Sequence, residues 1–300
     1  MSLSGVINFY KPPGMSSAQA VAFVKRLTKA KTGHAGTLDP EAAGVLPILI
    51  GRATRINDYL MDLPKVYLAE VAFGASTDTQ DAQGRLIATG GQIPNLETLK
   101  NAAQAFVGET SQLPPQYSAL KVGGQTAYQL ARAGKTVPLQ ARAIEINALD
   151  ILEAMPRHGF LMRVRCSKGT YIRTLCHDLG QALDCPAHMR FLLREESSGL
   201  KLTKAVTMVE LTRWAEAGFP ADHAVLLPIQ EALHFLPRVS IPDTWLFPAI
   251  NGVKIPLDRL ENPEELKEQT KVCLCCGDAL IGIYERQEEA LKVAVMLHQP

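Results

Sequence analysis

An aspartate before a proline, an arginine opening a helix and a histidine among small residues are the positions of this chain most open to chemistry. Asp39 stands between Leu38 and Pro40, in a loop punctuated by Gly33, Gly36 and Gly44. A residue before proline is pushed out of the helical region, so the Asp39 carboxylate is presented from extended backbone. The same residues also suit a plainer role, with Asp39 as N-cap and Pro40 opening a short helix through Ala43. Arg173 falls in the first turn of an expected helix, where a cation meets the positive end of the dipole and calls for an anion. That anion is either a ligand phosphate or a carboxylate from elsewhere in the fold, which the arginine would hold ionised. His34 lies in Gly33-His34-Ala35-Gly36, whose small side chains let a ligand approach, although a lone loop histidine is equally at home in solvent. Tyr67 and Tyr171 read as half-buried aromatics, or as stacking platforms if the ligand is a nucleic acid.

These residues must be positioned by regular elements, and the sequence marks them. Val6, Ile7 and Phe9 form a short apolar strand before the turn Lys11-Pro12-Pro13-Gly14, after which Ser16 and Gln19 have the spacing of a capping box. The helix that follows ends in Lys25, Arg26, Lys29 and Lys31, which its dipole favours. Lys65 to Gly74 is an expected strand with Tyr67, Ala69, Val71 and Phe73 on its apolar face. Phe160, Met162, Val164 and Cys166 alternate with Leu161, Arg163 and Arg165, the period of a half-buried strand. Thr170 is then expected to cap a helix with the stripe Ile172, Leu175, Cys176 and Leu179, ending at Gly180.

With 31 Lys and Arg against 30 Asp and Glu, the chain is not uniformly basic, yet its charge is unevenly distributed. Between Gln112 and Ala143 lie Lys121, Arg132, Lys135 and Arg142 with no acid, and from Ala154 to His177 five bases with none. A basic face is therefore present, with Lys121, Arg132, Arg142 and Lys168 as candidate contacts to an RNA backbone. The stretch from Phe219 to Pro242 carries Pro220, Pro228, Pro237 and Pro242 and marks a domain boundary. Beyond it, strand-like pieces at Val272 to Cys276, Ala279 to Tyr284 and Leu291 to Met296 suggest a small, net acidic β-barrel.

Several classes are excluded or unsupported. The chain has no phosphate-binding G-x-x-x-x-G-K, no dinucleotide G-x-G-x-x-G and no H-E-x-x-H. Cys273, Cys275 and Cys276 offer a single C-x-x-C, short of a four-ligand zinc site, and read as buried strand cysteines with no metal expected. A glycosidase would need a second carboxylate, and only Glu41 lies near Asp39 in sequence. Nothing resembles a signal peptide or membrane span, so a cytoplasmic location is expected.

Five segments occur in one order: Lys11-Pro12-Pro13-Gly14-Met15-Ser16-Ser17, Gly33-His34-Ala35-Gly36-Thr37-Leu38-Asp39-Pro40, Thr77-Asp78-Thr79, Pro114-Pro115-Gln116-Tyr117-Ser118-Ala119-Leu120-Lys121 and Gly169-Thr170-Tyr171-Ile172-Arg173. In these motifs the chain resembles the tRNA pseudouridine synthases of the TruB type. The resemblance runs from Gly5 to about Gly199. It implies an α/β (α+β) fold: a mixed, largely antiparallel bent sheet with flanking helices, plus a small C-terminal PUA-like β-barrel. Residues 1–235 would form the catalytic domain, with 112–143 a projecting loop that grips the T-arm, and residues 240–300 the C-terminal domain.

The implied reaction is isomerisation of uridine 55 in the tRNA T-loop, without a cofactor and by a monomer. By the same resemblance Asp39 is the nucleophile, Arg173 its partner and Tyr67 the floor under the flipped base, with His34, Tyr171 and Leu192 lining the pocket. Tyr10 departs from the pattern, since many relatives carry an acid there. The acidic tail argues against a strong grip on RNA by the C-terminal domain. A different reading is an RNA-binding or tRNA-folding protein that uses the same groove without essential turnover.

Overall fold

The computed structural model describes residues 3–298 apart from 119, 135–136, 223 and 267–269, and omits the side chains of Lys121, Val122, Thr126, Tyr128 and Arg132. Its body is a nine-stranded sheet whose main path runs Gly5–Lys11, Ala43–Ile50, Ala187–Ser197, Lys65–Phe73, Gly159–Cys166, Arg142–Met155 and Gly108–Gln112. Thr32–His34 pairs with Ala43–Ile50, and Leu200–Lys201 pairs with Ala187–Ser197. Every pairing in it is antiparallel except that of Ala187–Ser197 with Ala43–Ile50.

Alternation explains the central strands. Tyr67, Ala69, Val71 and Phe73 point into the main core together with Phe160, Met162, Val164 and Cys166, while Arg163 and Arg165 face outward. Helices Ser17–Thr28, Leu96–Gln104 and Ile172–Ala182 lay apolar residues on this core. The first starts as its sequence dictates, with Ser16 and Gln19 in a reciprocal capping box.

Two expected local structures do not form. Pro40 and Glu41 make a turn closed by Ala42 N–H donating to Asp39 O at 3.1 Å, so Asp39 caps no helix. Thr170 caps nothing either, because its hydroxyl donates to Ser167 O at 3.0 Å and the helix opens after Tyr171. The orphan N–H of Tyr171 is met instead by Gln112, which accepts from it at 2.8 Å and also donates at 3.1 Å to Tyr171 O, the carbonyl that already takes Leu175 N at 3.0 Å. The helix also runs on to Ala182, past Gly180.

Gln112 is paired with Arg142, so the excursion between them leaves and rejoins the sheet at one rung. Within it lie the short strands Lys121–Val122 and Gln125–Thr126 and the helix Ala127–Arg132. Ala119 and Lys135 fall outside the described residues.

A second, five-stranded sheet is ordered Arg238–Ser240, Lys271–Cys276, Ala279–Gln287, Ala290–Met296 and Ile255–Pro256, a curled half-barrel with its own core. Cys273, Cys275 and Cys276 are buried in its second strand as free thiols. Cys273, Ile283 and Leu297 join Val6, Leu49 and Ile56 in an apolar seam that bonds this sheet to the body. Among the described residues, no helix is long and apolar enough to cross a membrane, and no three His, Cys, Asp or Glu are grouped as for a metal ion.

Candidate active site

The loop from Ala35 to Ala42 joins two paired strands and is held from beneath at nearly every residue. Ser17, in the first turn of its helix, accepts from Leu38 N at 2.9 Å and donates to Leu38 O at 3.1 Å. Lys11, wholly buried, donates to Pro12 O at 2.9 Å, Met15 O at 2.6 Å and Pro40 O at 3.0 Å. Burial pulls the Lys11 ammonium down to about 8, against the attraction of Glu41 and Asp39. Arg194 donates to Gly36 O at 2.9 Å and Thr37 O at 3.3 Å. With its backbone tethered on both sides, Asp39 keeps its carboxylate 39% exposed.

Arg173 meets that carboxylate from the start of its helix. Its Nε lies 2.9 Å from Asp39 Oδ2 and its Nη2 donates to Asp39 Oδ1 at 3.3 Å, the two-point geometry that favours arginine over lysine. The remaining donors reach Tyr117 O at 3.0 Å and Thr79 O at 3.2 Å, with Asp81 Oδ2 at 3.9 Å. Asp81 is fixed in turn, accepting from Thr79 Oγ1 at 2.6 Å and Gln83 N at 3.0 Å. Thus the turn after Thr77, the root of the excursion and the Asp39 loop all converge on one guanidinium.

Tyr67 lies in the core face of its strand, directly across from Arg194 and one step along from the Ala69–Leu192 pair. Burial pushes its phenol up, with the Arg194 guanidinium pulling against that shift. His34 is held down by burial and then by Arg194, and among the described residues its buried Nδ1 has no hydrogen-bond partner. Burial raises the Tyr171 hydroxyl, while Ser118, Arg173 and Arg142 pull it down and Asp39 pushes it up. Asp39 also acts on the Tyr67 phenol, so Asp39, Arg173, Tyr67 and Tyr171 share one electrostatic neighbourhood. Leu192 is buried in the same core as Tyr67.

The candidate RNA contacts fare differently. Arg142 is exposed beside Tyr171 at the root of the excursion. Lys168 is engaged by Asp62 in an exposed ion pair. The side chains of Lys121 and Arg132 lie outside the described residues. Three groups important to the geometry, Asp81, Gln112 and Arg194, carry no mark in the sequence reading; the clearest missed signal is an arginine on the inward face of the Leu192 strand.

Residues 25–172 match the TruB family pseudouridylate synthase N-terminal domain, and residues 173–234 match the tRNA pseudouridylate synthase B C-terminal domain. The chain belongs to the TruB family of pseudouridylate synthases. As a member it is an enzyme, an isomerase that converts uridine to pseudouridine. It is 39% identical over 281 residues to the tRNA pseudouridine synthase B of Alkaliphilus oremlandii, covering 93% of this chain and 92% of that one. With the tRNA pseudouridine synthase B of Streptococcus mutans it shares 41% identity, over 97% of this chain and 98% of the other. Among solved structures, a Cbf5-Nop10-Gar1 complex contains a chain that superposes with a TM-score of 0.73 at 27% identity, covering 98% of this TruB-family chain and 84% of its counterpart.

Proposed function

We propose that this enzyme isomerises the uridine at position 55 in the T-loop of tRNA, with Asp39 as nucleophile, Arg173 as its partner and Tyr67 as the floor under the flipped base. The observation that carries this reading is the Asp39–Arg173 pair: the arginine is 5% exposed and fully engaged, while the carboxylate remains 39% exposed. A carboxylate so held stays aimed, and it can add covalently, hold the intermediate while the uracil turns, and depart unchanged. The bond from ribose C1′ to uracil N1 breaks, a bond from C1′ to C5 forms, the C5 hydrogen leaves to solvent and N1 gains a proton. The balance needs no redox cofactor.

A base paired or stacked in the T-loop must leave the stack to reach Asp39, and in this reading the Tyr67 ring, with His34, Tyr171 and Leu192, would receive it. Residues 112–143 would grip the T-arm, with Arg142 at their root. We assign residues 1–235 to catalysis and 240–300 to a PUA-like unit, and we expect a monomer acting in the cytoplasm.

The test is tritium release from T-arm transcripts labelled at uracil C5, comparing the native chain with Asp39→Asn. Release by the native chain alone supports both reaction and nucleophile. Release by neither, with RNA binding intact, would favour a tRNA-folding role without turnover.

A further inference from the structure

We propose that Arg194 is a positioning residue for the isomerisation, a single buried guanidinium that ties the loop bearing Asp39 to the ring of Tyr67. The proposal rests on the reading of Asp39 as nucleophile and Tyr67 as the floor under the base.

Arg194 is 1% exposed and, among the described residues, has no carboxylate within ion-pair distance. Burying a cation without a counter-charge is costly, and an apolar residue would fill the same space more cheaply. What the guanidinium has instead is backbone: Val45 O at 2.8 Å, Gly36 O at 2.9 Å and Thr37 O at 3.3 Å. These carbonyls bracket the loop, two on the side before Asp39 and one on the side after it. The main chain also brings the Arg194 strand close against this loop, where it pairs with Gly44. Gly44 sits at φ +110°, and a Cβ there would fall 2.3 Å from Arg194 O. Gly36, at φ +91°, offers its carbonyl from a conformation few other residues adopt.

The same strand places Arg194 directly across from Tyr67, whose phenol faces the guanidinium. One planar group with five donors therefore holds the loop on one side, lies across from the ring on the other, and sets the distance between carboxylate and ring. Lysine keeps the charge but has one nitrogen, and cannot span the same acceptors.

The experiment compares Arg194→Lys, Tyr67→Phe, the double variant and Asp39→Asn, measuring tRNA affinity, thermal stability and single-turnover tritium release. Arg194→Lys is expected to bind tRNA as the native chain does and to slow turnover roughly 10- to 100-fold, the effect of a small misplacement of reacting groups. Tyr67→Phe should slow turnover as well, and less in the Arg194→Lys background than in the native one, because the tether is already cut. A native rate in Arg194→Lys, a rate loss matched by lost affinity or stability, or strictly additive effects would each overturn the proposal. Should Arg194→Lys fail to fold, a Tyr67→Phe rate within twofold of native overturns it alone, and a larger loss at unchanged affinity supports it. Turnover by Asp39→Asn would instead sink the underlying reading, independently of Arg194.

Discussion

Arg173 holds Asp39 by two edges, at 2.9 and 3.3 Å, across 134 residues of sequence. The pair is asymmetric: the cation is buried and held by four contacts of 2.9 to 3.3 Å, the anion open. That arrangement fixes a carboxylate without covering it.

Deleting the guanidinium tests this asymmetry. In Arg173→Met the carboxylates of Asp39 and Asp81 and the carbonyls of Thr79 and Tyr117 lose their common donor. Breaking one side of a largely buried pair costs about 3–5 kcal/mol, less here because Asp39 is partly solvated. We expect a loss of about 2–3 kcal/mol in urea unfolding and a rate loss of roughly 100-fold or more, since an electrostatic and orienting contact vanishes together. A folded variant with native turnover would show that Arg173 serves the fold alone.

Gln112 should matter through a helix it does not belong to. Its amide closes both backbone groups of Tyr171, where no side chain of the helix itself caps. Gln112→Ala leaves the Tyr171 N–H without its acceptor near the buried start of the Arg173 helix, while Tyr171 O keeps Leu175 N, a cost of about 1–3 kcal/mol. Gln112→Glu retains the acceptor and loses the donor, so its unfolding midpoint should fall between the two. Equal midpoints for all three chains would dismiss the contact.

The sequence is legible where a rule is local. The capping box at Ser16, the alternation around Tyr67 and Phe160 and the strands of the tail all follow from side-chain period and turn residues, and they appear where expected. It is illegible where a long-range partner overrides a local preference. Thr170 has the character of a cap, yet Gln112 takes that function from 59 residues away, and Asp39-Pro40 has the look of a helix start, yet the buried ammonium of Lys11 draws Pro40 into a turn. Arg173 lies between these cases. Its awkward dipole position announces a missing anion, while which anion answers is decided only by the fold.

Two of the expected RNA contacts can be separated by salt. Arg142 is exposed at the root of the excursion beside Tyr171, whereas Lys168 is engaged by Asp62 in an exposed pair. Each cation that neutralises a phosphate releases counterions, so Arg142→Ala should reduce the slope of log affinity against log salt by about one. Lys168→Ala should leave that slope unchanged. The reverse pattern, read from tRNA titrations at several salt concentrations, would place the RNA on the Lys168 side.

Lys11 supplies a pH test with a definite sign. Folding lowers its ammonium from the ordinary 10.5 to about 8, chiefly by burial. Between those values the unfolded chain holds a proton that the native chain has released, so the Lys11 contribution to stability rises with pH there. Below about 8 both states carry the charge, and the full desolvation cost stands against the three carbonyl contacts. Lys11→Met abolishes the titration together with the contacts. The stability of the native chain minus that of the variant should therefore be flat from pH 6 to 7 and rise from pH 8 to 10, with a slope of at most about 1.4 kcal/mol per pH unit. Urea unfolding of both chains across that range is the measurement, and a difference that stays flat from pH 8 to 10 would mean that the three carbonyls offset burial and keep the lysine charged.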